Sequence, residues 1–326
     1  MKANAQLPAA FHRRLAALAV LISAVTLGVS YSLPTVTFRA ILKPVETYSI
    51  WGGIESLWED GNFILAPTVF LFSMVFPIGK LVALTLLLAG TVREGNRVHW
   101  LRWLHLLGKW SMLDVFIVGV FVAAVQLGFV ADASSRWGIH VFALSIVMSM
   151  GCTWYVARVF GGHGTPRPAP ALRSSLGRAL AAGRALGLAA MFALPLLEVT
   201  KVLLRVETSN EVHLWRTTRR LAREGELLLA LALGLFVIGL PILRALLALR
   251  LRWLGGDPRR SLALALGLDA WAMVDVFGLG LLIVQVKLAE LTTTHLLAGF
   301  WATLVAAILA QLDSWHLRRA ALARDR

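Results

Sequence analysis

The segments KWSMLDVFIVGVFVAAVQLGF (109–129) and WAMVDVFGLGLLIVQVKLAEL (271–291) share the pattern W-x-M-x-D-V-F, followed in each case by a long apolar run. The pattern places an aspartate, Asp114 or Asp275, at the start of a stretch apolar enough to lie in a lipid bilayer. Because the pattern occurs twice, it indicates an internal repeat within a membrane protein.

The composition is that of a polytopic membrane protein. Hydrophobic residues make up 58% of the 326 residues, charged residues only 15%, and the mean hydropathy is +0.73. A soluble protein carries more charge than this on its surface. Apolar stretches of about 20 residues, the length that crosses about 30 Å of hydrocarbon, predict eight spanning helices. They lie at 15–34, 63–89, 111–130, 138–159, 179–200, 227–249, 271–289 and 292–312.

The first span is predicted to be a retained helix rather than a cleaved signal peptide, because a comparable span opens the second half of the chain. Basic residues predict that both termini lie in the cytoplasm. In that orientation the cytoplasmic segments hold 20 Lys and Arg and the opposite side holds 9, which agrees with the positive-inside rule. Membrane orientation thus explains the formal net charge of +14, and nucleic acid is not a predicted partner.

Two tandem four-helix modules account for further positional matches. Pro34 and Pro195 lie 161 residues apart, as do the two aspartates, whereas Lys80 and Arg244 lie 164 apart. Three-residue shifts in loops reconcile the two offsets. With four helices each, both modules enter the membrane from the cytoplasm and are parallel repeats. The predicted domains are 1–160 and 178–326, joined by a Gly/Pro/Ser-rich cytoplasmic linker at 161–177.

Each module has one sizeable outer segment, between its first and second spans. In the first module, residues 35–49 favour a short strand pair, and Ile50, Ile54, Leu57 and Trp58 then fall on one helical face. The corresponding helix of the second module is basic, which fits either an interfacial helix touching anionic head groups or a docking surface for an acidic periplasmic partner. The residues assigned to this partner or membrane surface are Trp51, Trp58, Trp215, Arg216, Arg219, Arg220 and Arg223.

Ionisable side chains within the spans are the candidates for function, because such groups are costly in lipid and generally face the bundle interior. Lys80 and Asp114 come from the same side of the membrane and can meet, and Arg244 and Asp275 repeat this arrangement. The alternative is a purely structural ion pair, or a lysine whose ammonium reaches the interface.

The second module is the predicted working half, because it adds Lys287 where the first module has Gln126. Ser145 and Thr303, placed at equivalent positions of the fourth spans, could add hydroxyl groups to the same polar centre or bond their own helix backbone. The complete predicted polar cluster is Lys80, Asp114, Arg244, Asp275, Lys287, Ser145 and Thr303.

No catalytic or metal-binding signature is present in the sequence. It lacks a phosphate loop, an H-E-x-x-H motif and a G-x-S-x-G motif, and its eight histidines show no ligand spacing. The single cysteine, Cys152, excludes an internal disulfide and a cysteine-based zinc or iron–sulfur site. We therefore predict no enzymatic activity, no metal and no cofactor.

Several motifs resemble the paraquat-inducible protein A family, which includes the inner-membrane LetA-type proteins. They are ETYSIWGGIESLWEDG, FLFSMVFPIGK and GKWSMLDVF in the first module, and WRTTRRLAREG, LFVIGLPILR and WAMVDVF in the second. The resemblance implies a bacterial inner-membrane protein that loads or extracts phospholipid for a periplasmic MCE-domain (MlaD-like) partner, which forms a lipid tunnel between the membranes. It also implies that a transmembrane polar cluster couples this transfer, carried here onto Lys80, Asp114, Arg244, Asp275 and Lys287.

The sequence departs from that family in one respect. Family members typically carry a four-cysteine zinc ribbon before each module, and neither corresponding segment contains a cysteine, so zinc dependence is not implied. The expectation is an all-α integral membrane protein of eight transmembrane helices, with a small periplasmic strand and helix element in each module, that acts in intermembrane lipid transport. The alternatives are a non-transporting scaffold that anchors the partner and a small-molecule transporter.

Overall fold

The computed structural model describes residues 6–40, 45–59, 61–92, 96–125, 131–160, 174–203, 206–254, 258–289 and 293–322. Helices dominate these residues, and short strands form two small sheets. Contacts divide the chain into two compact units, one of residues 1–115 and 133–163 and the other of residues 116–132 and 164–326.

The elements of the first half follow the order helix, strand pair, helix, four further helices with one π-helical turn among them, strand and final helix. They are α1 (Gln6–Ser32), β1 (Pro34–Ala40), β2 (Glu46–Ser49), α2 (Ile50–Glu59), α3 (Leu65–Phe70), a π-helical turn (Leu71–Val75), α4 (Phe76–Ala89), α5 (Arg97–Trp110), α6 (Leu113–Val125), β3 (Ala131–Ser135) and α7 (Trp137–Phe160). The second half repeats this order. Its elements are α8 (Ser175–Ala193), β4 (Leu197–Leu203), β5 (Val206–Val212), α9 (Leu214–Arg223), α10 (Leu227–Ala232), a π-helical turn (Leu233–Gly239), α11 (Leu240–Leu249), a second π-helical turn (Arg250–Leu254), α12 (Pro258–Leu268), α13 (Val274–Ala289), β6 (Thr293–Leu296) and α14 (Ala298–Leu322).

Five helices of the described chain are long and apolar enough to cross a membrane. They are Phe11–Ser32, Leu65–Ala89, Trp137–Ala157, Ser175–Ala193 and Leu227–Trp253. Large apolar side chains such as Leu21, Val82 and Leu231 point outward from them, which gives the surface that a bilayer covers. The protein is therefore a mostly helical, multi-pass membrane protein, and the full count of eight spans stays a prediction.

Two segments that the sequence indicated as cytoplasmic loops, near 91–110 and 250–260, are largely helical. The first contains α5 and the second runs into α12. Their basic residues lower the mean hydropathy, although Leu262 and Ala265 of α12 are buried at helical spacing against Leu251 and Leu317. Hydropathy averaged over a sequence window therefore does not detect helices that bury only one narrow face.

The predicted span 179–200 is wrong at its C-terminal end. Helix α8 ends at Ala193, and β4 begins at Leu197. Pro195 lies between them, and proline disfavours a helical conformation at the residue before it. The apolar run therefore continues as a strand instead of as helix.

A three-stranded sheet follows the first span of each module. Strand β1 lies between β2 and β3, and β4 lies between β5 and β6. The β1–β2, β4–β5 and β4–β6 pairs are antiparallel. Strands β1 and β2 occupy the segment for which the sequence predicts a strand pair, and the periplasmic location of the sheets stays a prediction.

The F-P-x-x-K element and its L-P-x-x-R counterpart explain the π-helical turns. The N–H of Leu240 donates to the carbonyl of Leu235 five residues earlier, and Pro241 has no N–H to donate to the carbonyl of Phe236. The first module repeats this with Phe76 donating to Leu71 ahead of Pro77. Each proline thus leaves one carbonyl oxygen of the helix free for another partner.

The W-x-M-x-D-V-F motif lies at a helix break in both modules. Helix α5 ends and α6 begins within it, and the residues between α12 and α13 form the second break. In the second break the N–H of Met273 donates to the free carbonyl of Phe236 at 3.0 Å. The π-helical turn and the helix break are therefore linked by a hydrogen bond. Such breaks inside a membrane protein are a common basis for binding sites.

Two glycines at the start of the fourth spans show that the repeats share one backbone geometry. A Cβ atom on Gly138 would lie 2.5 Å from the carbonyl oxygen of Pro34, and one on Gly299 would lie 2.5 Å from that of Pro195. Such close approach admits only glycine. The glycines are 161 residues apart, as the prolines are, so this offset holds into the fourth spans.

The same offset corrects the predicted equivalence of Ser145 and Thr303, which lie 158 residues apart. With an offset of 161, Ser145 corresponds to Ala306 and Thr303 to Phe142. The tetrapeptides F-A-L-S (142–145) and F-W-A-T (300–303) suggested the pairing, but they are displaced by three residues, almost one helical turn. A short sequence match does not detect such a displacement.

Candidate functional site

Three arginines and two aspartates lie together in the interior of the second unit. All five side chains are at most 6% exposed, and they come from five different elements. They are Arg184 of α8, Arg244 of α11, Arg252 of the π-helical turn after α11, Asp269 of the break between α12 and α13, and Asp313 of α14. We call this set the buried charge cluster.

Asp313 is the centre of the buried charge cluster. Its Oδ1 atom lies 2.6 Å from Nη2 of Arg252, and its Oδ2 atom lies 3.4 Å from Nη1 of Arg184 and 3.3 Å from Nη2 of Arg244. One carboxylate with no exposed surface thus contacts three guanidinium groups. Such contacts are strong where water is excluded, because the effective dielectric constant is low.

Asp269 provides the second carboxylate. Its Oδ1 atom accepts a hydrogen bond from Nε of Arg244 at 2.8 Å and lies 3.8 Å from Nη1 of Arg184. Its Oδ2 atom lies 4.0 Å from Nη2 of the exposed Arg318. The helix break therefore brings a carboxylate from the edge of the bundle into contact with two buried arginines.

The buried charge cluster has more positive than negative charge. With every group ionised, three arginines and two aspartates leave one net positive charge among the described side chains. Within the same described residues, Nε of Arg184 and Nη1 of Arg244 have no hydrogen-bond partner. A buried charge without a partner costs several kcal/mol, so protonation or movement of one carboxylate changes the energy of the cluster strongly.

Two arginines of the buried charge cluster lie well inside their helices. Arg184 is nine residues after the start of α8, and Arg244 is ten residues before the end of the second π-helical turn. At 1.5 Å per residue both are about 14–15 Å from those helix ends. Ionisable groups at such depth in a membrane protein are candidates for a functional role.

Arg244 is the predicted site residue that the structure places in the buried charge cluster. The carboxylates that it contacts are Asp269 and Asp313, in place of the predicted Asp275. The reason is the helix break, which directs Asp269, two residues before the W-x-M-x-D-V-F motif, towards the arginine instead of the aspartate within the motif.

Asp275 lies in the first turn of α13. Its Oδ1 atom accepts a hydrogen bond from the backbone N–H of Val276 at 3.0 Å, and its Oδ2 atom accepts one from Nε2 of Gln311 at 2.7 Å. A carboxylate at a helix N-terminus is stabilised by the helix dipole and by free N–H groups. This gives a structural reason for the aspartate of the repeated motif.

Lys80 of the first unit is buried and has a hydroxyl partner. Its Nζ atom donates to Oγ of Ser149 at 3.0 Å, and that hydroxyl donates in turn to the carbonyl of Ile146. Asp114 is the second residue of α6, and its side chain, like that of Lys287, lies outside the described residues. The Lys80–Asp114 pair therefore stays a prediction.

The two predicted hydroxyl groups bond to backbone carbonyls. Oγ of Ser145 donates to the carbonyl of Ser23 at 2.9 Å, which joins α7 to α1. Oγ1 of Thr303 donates to the carbonyl of Gly299, one turn earlier in its own helix, at 2.8 Å. The first bond holds two helices together, and the second satisfies a buried hydroxyl group within its own helix.

The predicted surface residues lie on α2 and α9. Trp51, Trp58 and Trp215 are exposed, and so are Arg216, Arg219 and Arg223 of α9. Arg220 is half-buried and donates from Nε to Oε1 of Glu224 at 2.7 Å. The ring of Trp58 meets that of Phe63 edge-on in the following turn.

Comparison with known proteins supports the repeat. A family model for paraquat-inducible protein A matches residues 13–158 and 178–322, one match in each module. The chain belongs to the paraquat-inducible protein A family. Intermembrane transport protein PqiA of Escherichia coli K12 is 28% identical over 138 residues, which is 41% of this chain and 33% of that protein. A probable intermembrane transport protein of Haemophilus influenzae is 27% identical over 103 residues, 30% of this chain and 25% of that protein.

The chain thus matches a third or less of the length of these curated relatives. No solved structure matches it. Membership of the paraquat-inducible protein A family consequently rests on the two module matches, which together cover most of the chain.

Sequence reasoning missed four members of the buried charge cluster in this family member. It counted Arg184 and Arg252 among basic residues of cytoplasmic segments, and it placed Asp269 and Asp313 just outside the predicted spans. Comparison of the modules would have found them, because the first module has no charged residue at any of the four equivalent positions. Those positions are occupied by Ser23, Leu88, Gly108 and Cys152.

Proposed function

We propose that the protein transfers phospholipid between the bacterial inner membrane and a periplasmic MCE-domain partner, and that it does so without enzymatic chemistry. Membership of the paraquat-inducible protein A family supports the proposal, as do relatives whose names include intermembrane transport. The excess of basic residues on one side supports an orientation with both termini in the cytoplasm.

The observation that carries the proposal is the buried charge cluster. Five ionised groups buried in a helical bundle are expensive to desolvate, and replacing such groups with apolar residues is often neutral or stabilising. The first module has the same backbone plan, and Lys80 is the one charged residue at the five equivalent positions. Since the fold forms without most of these charges, a role in function explains why the protein bears the free-energy cost of burying them.

The cluster can act as a charge switch between two arrangements of helices. Asp313 holds Arg184, Arg244 and Arg252 at once, so loss of its negative charge leaves three buried cations that repel each other. Relief of this repulsion requires α8, α11 and α14 to move relative to each other. A lipid that favours one of the two arrangements then shifts the population towards it.

Helix α8 can transmit such a movement along its length. A Cβ on Gly187 would lie 3.1 Å from Cα of Ala306, and one on Gly183 would meet Leu309 at 3.4 Å. The two helices are in close contact over this face. A displacement of Arg184 from Asp313 is therefore coupled to the rest of the α8–α14 contact.

A groove in the first unit has the shape and chemistry for an acyl chain. It lies between α1 and α4, has a volume of about 730 Å³, and is lined almost entirely by apolar side chains. Leu21 and Leu27 of α1 and Ile78 and Val82 of α4 are among them. An apolar groove open to the bilayer fits a lipid as cargo better than it fits a polar small molecule.

The test compares the amide variant Asp269→Asn with the wild-type protein. Purification from native membranes in mild detergent, followed by mass spectrometry of co-purifying proteins and lipids, identifies the periplasmic partner. Transfer of labelled phospholipid from proteoliposomes to that partner is then measured. We expect Asp269→Asn to insert normally and to lose at least about tenfold in transfer rate, which corresponds to about 1.4 kcal/mol.

The matched control is Glu224→Gln, which makes the same chemical change in an exposed pair on α9. It should transfer lipid at the wild-type rate. Normal transfer by Asp269→Asn at normal abundance would contradict the proposed role of the cluster. A loss of transfer that only follows protein abundance would support a non-transporting scaffold instead.

A further inference from the structure

Helix α9 carries a row of arginines on its exposed face. Arg216, Arg219 and Arg223 are spaced i, i+3 and i+7, which places them on one side of an α-helix. All three are exposed, and the exposed Trp215 is next to them in sequence. We call these three residues the arginine row.

Packing fixes the direction in which the arginine row points. Leu214, Thr217 and Leu221 on the opposite side of α9 are buried, and α9 packs against α10. The chain then turns at Gly225, whose φ of +87° favours glycine. Rotation of α9 would expose this apolar face, so the row is held away from the unit.

The arginine row lies close to the hydrocarbon boundary. Helix α10 begins at Leu227, four residues after Arg223, and opens the membrane span Leu227–Trp253. Leu227 and Leu231 are already exposed, so the bilayer contacts the chain within one turn of Gly225. Trp215 fits this location, because tryptophan is enriched at membrane–water interfaces.

The arginine row has no protein counter-charge among the described residues. Glu224 on the same helix pairs with Arg220, and no described carboxylate lies within 4.0 Å of the guanidinium groups of Arg216, Arg219 or Arg223. Like charges three and four residues apart on a helix destabilise each other. The row therefore gains stability from an external anion.

The geometry points to the lipid surface as the source of that anion. We propose that the arginine row binds phosphate-containing head groups of anionic lipids in the leaflet at which α9 lies. The guanidinium group forms paired hydrogen bonds with phosphate oxygens, and the row faces outward beside the span where those oxygens lie. Binding of this kind is separate from lipid transfer and does not depend on it.

The equivalent helix of the first module, α2, has no arginine row, so the proposed site belongs to the second module alone. Helix α2 has exposed tryptophans, as α9 does, but its charged residues are Glu55 and Glu59. The two helices occupy the same place in the repeat and differ in the sign of their charge. Anionic head groups are therefore concentrated at one module and not at the other.

The test measures which lipid the purified full-length protein binds. The protein in mild detergent is incubated with an equimolar mixture of phosphatidylglycerol and phosphatidylcholine, and the bound ratio is measured by mass spectrometry. We expect enrichment of phosphatidylglycerol on the wild-type protein. The variant Arg216→Gln/Arg219→Gln/Arg223→Gln should lose at least about fivefold of it, since one basic residue near an anionic surface contributes about a fivefold preference.

Two control variants separate position from total charge. Arg178→Gln/Arg250→Gln/Arg319→Gln removes three exposed arginines elsewhere in the second unit and should keep most of the enrichment. Arg216→Lys/Arg219→Lys/Arg223→Lys keeps the charge and should keep more than half of it. Size-exclusion profiles confirm that each variant is folded.

Two results would overturn the proposal. In the first, the wild-type protein shows no preference for phosphatidylglycerol, which would leave an acidic protein as the partner of the arginine row. In the second, both glutamine variants lose enrichment equally, which would make net charge rather than the arginine row responsible.

Discussion

The two modules share a backbone plan and differ in the chemistry of their interiors. In the first module, Lys80 donates to the hydroxyl of Ser149, and the position equivalent to Asp313 is occupied by the thiol of Cys152. In the second module, Arg244 replaces the lysine and contacts the carboxylate of Asp313. Among the described side chains, the same arrangement of helices is thus built once around a single buried lysine and once around five charged groups.

The comparison shows which structural features both modules require and which are additional in the second module. The glycine contacts at the fourth spans, the proline-dependent π-helical turns and the helix breaks occur in both modules. The set of three arginines and two aspartates occurs in the second alone. The charges are an addition to a scaffold that already forms without them.

The largest expected effect is that of Asp313→Asn. This change removes the charge that Arg184, Arg244 and Arg252 share, and breaking a buried ion pair from one side costs about 3–5 kcal/mol. We expect the apparent free energy of unfolding in mixed detergent micelles to fall by about this amount, with reduced abundance in membranes. The matched change in the first module is Cys152→Ala, which removes a buried thiol and should cost about 1 kcal/mol. Equal costs in the two modules would break the comparison.

The second prediction concerns the feature that the modules share. Gly138→Ala and Gly299→Ala each place a methyl group 2.5 Å from a backbone carbonyl oxygen, and relief of such overpacking typically costs about 1–3 kcal/mol. Thermal unfolding of each variant, followed by tryptophan fluorescence, should show similar losses. A loss at one glycine alone would mean that only that module depends on the close contact at the start of its fourth span.

The third prediction is a pair of double-mutant cycles on Arg244, using unfolding in mixed micelles as the measurement. The cycle of Arg244→Met with Asp313→Leu should give a coupling energy between about 0.5 and 3 kcal/mol, as residues in one charge network do. The cycle of Arg244→Met with Asp275→Leu should be additive to within about 0.5 kcal/mol. A stronger coupling to Asp275 would restore the pairing that the repeat of the sequence suggests.

Much of the fold follows from the sequence because the repeat and the apolar runs are strong signals. The membrane character, the module order and the helices α2 and α9 are all readable from it. The helices α5 and α12 are not, because only a narrow face of each is apolar. The end of α8 is also missed, since an apolar run does not distinguish helix from strand until Pro195 is considered.

The site was only partly predictable for a related reason. Arg244 was found because it lies inside an apolar run. Asp269 and Asp313 lie beside such runs, and only the helix break and the length of α14 bring them to the arginine. Charge pairing across a bundle depends on how far along its helix each residue lies. The offset between the two repeats indicates this position more reliably than hydropathy does.

The smallest expected effect concerns the aspartates of the repeated motif. Asp275→Asn removes a charge at the start of α13, where the helix dipole contributes about 0.3–1 kcal/mol, and Gln311 can still bond to the amide. Asp114→Asn should cost more, about 1–3 kcal/mol, if the buried ammonium of Lys80 has this carboxylate as its counter-charge. Unfolding of both variants in the same micelles gives the comparison directly. Equal small losses would show that the aspartate serves only to begin a helix in both modules, and that Lys80 has the hydroxyl of Ser149 rather than Asp114 as its partner.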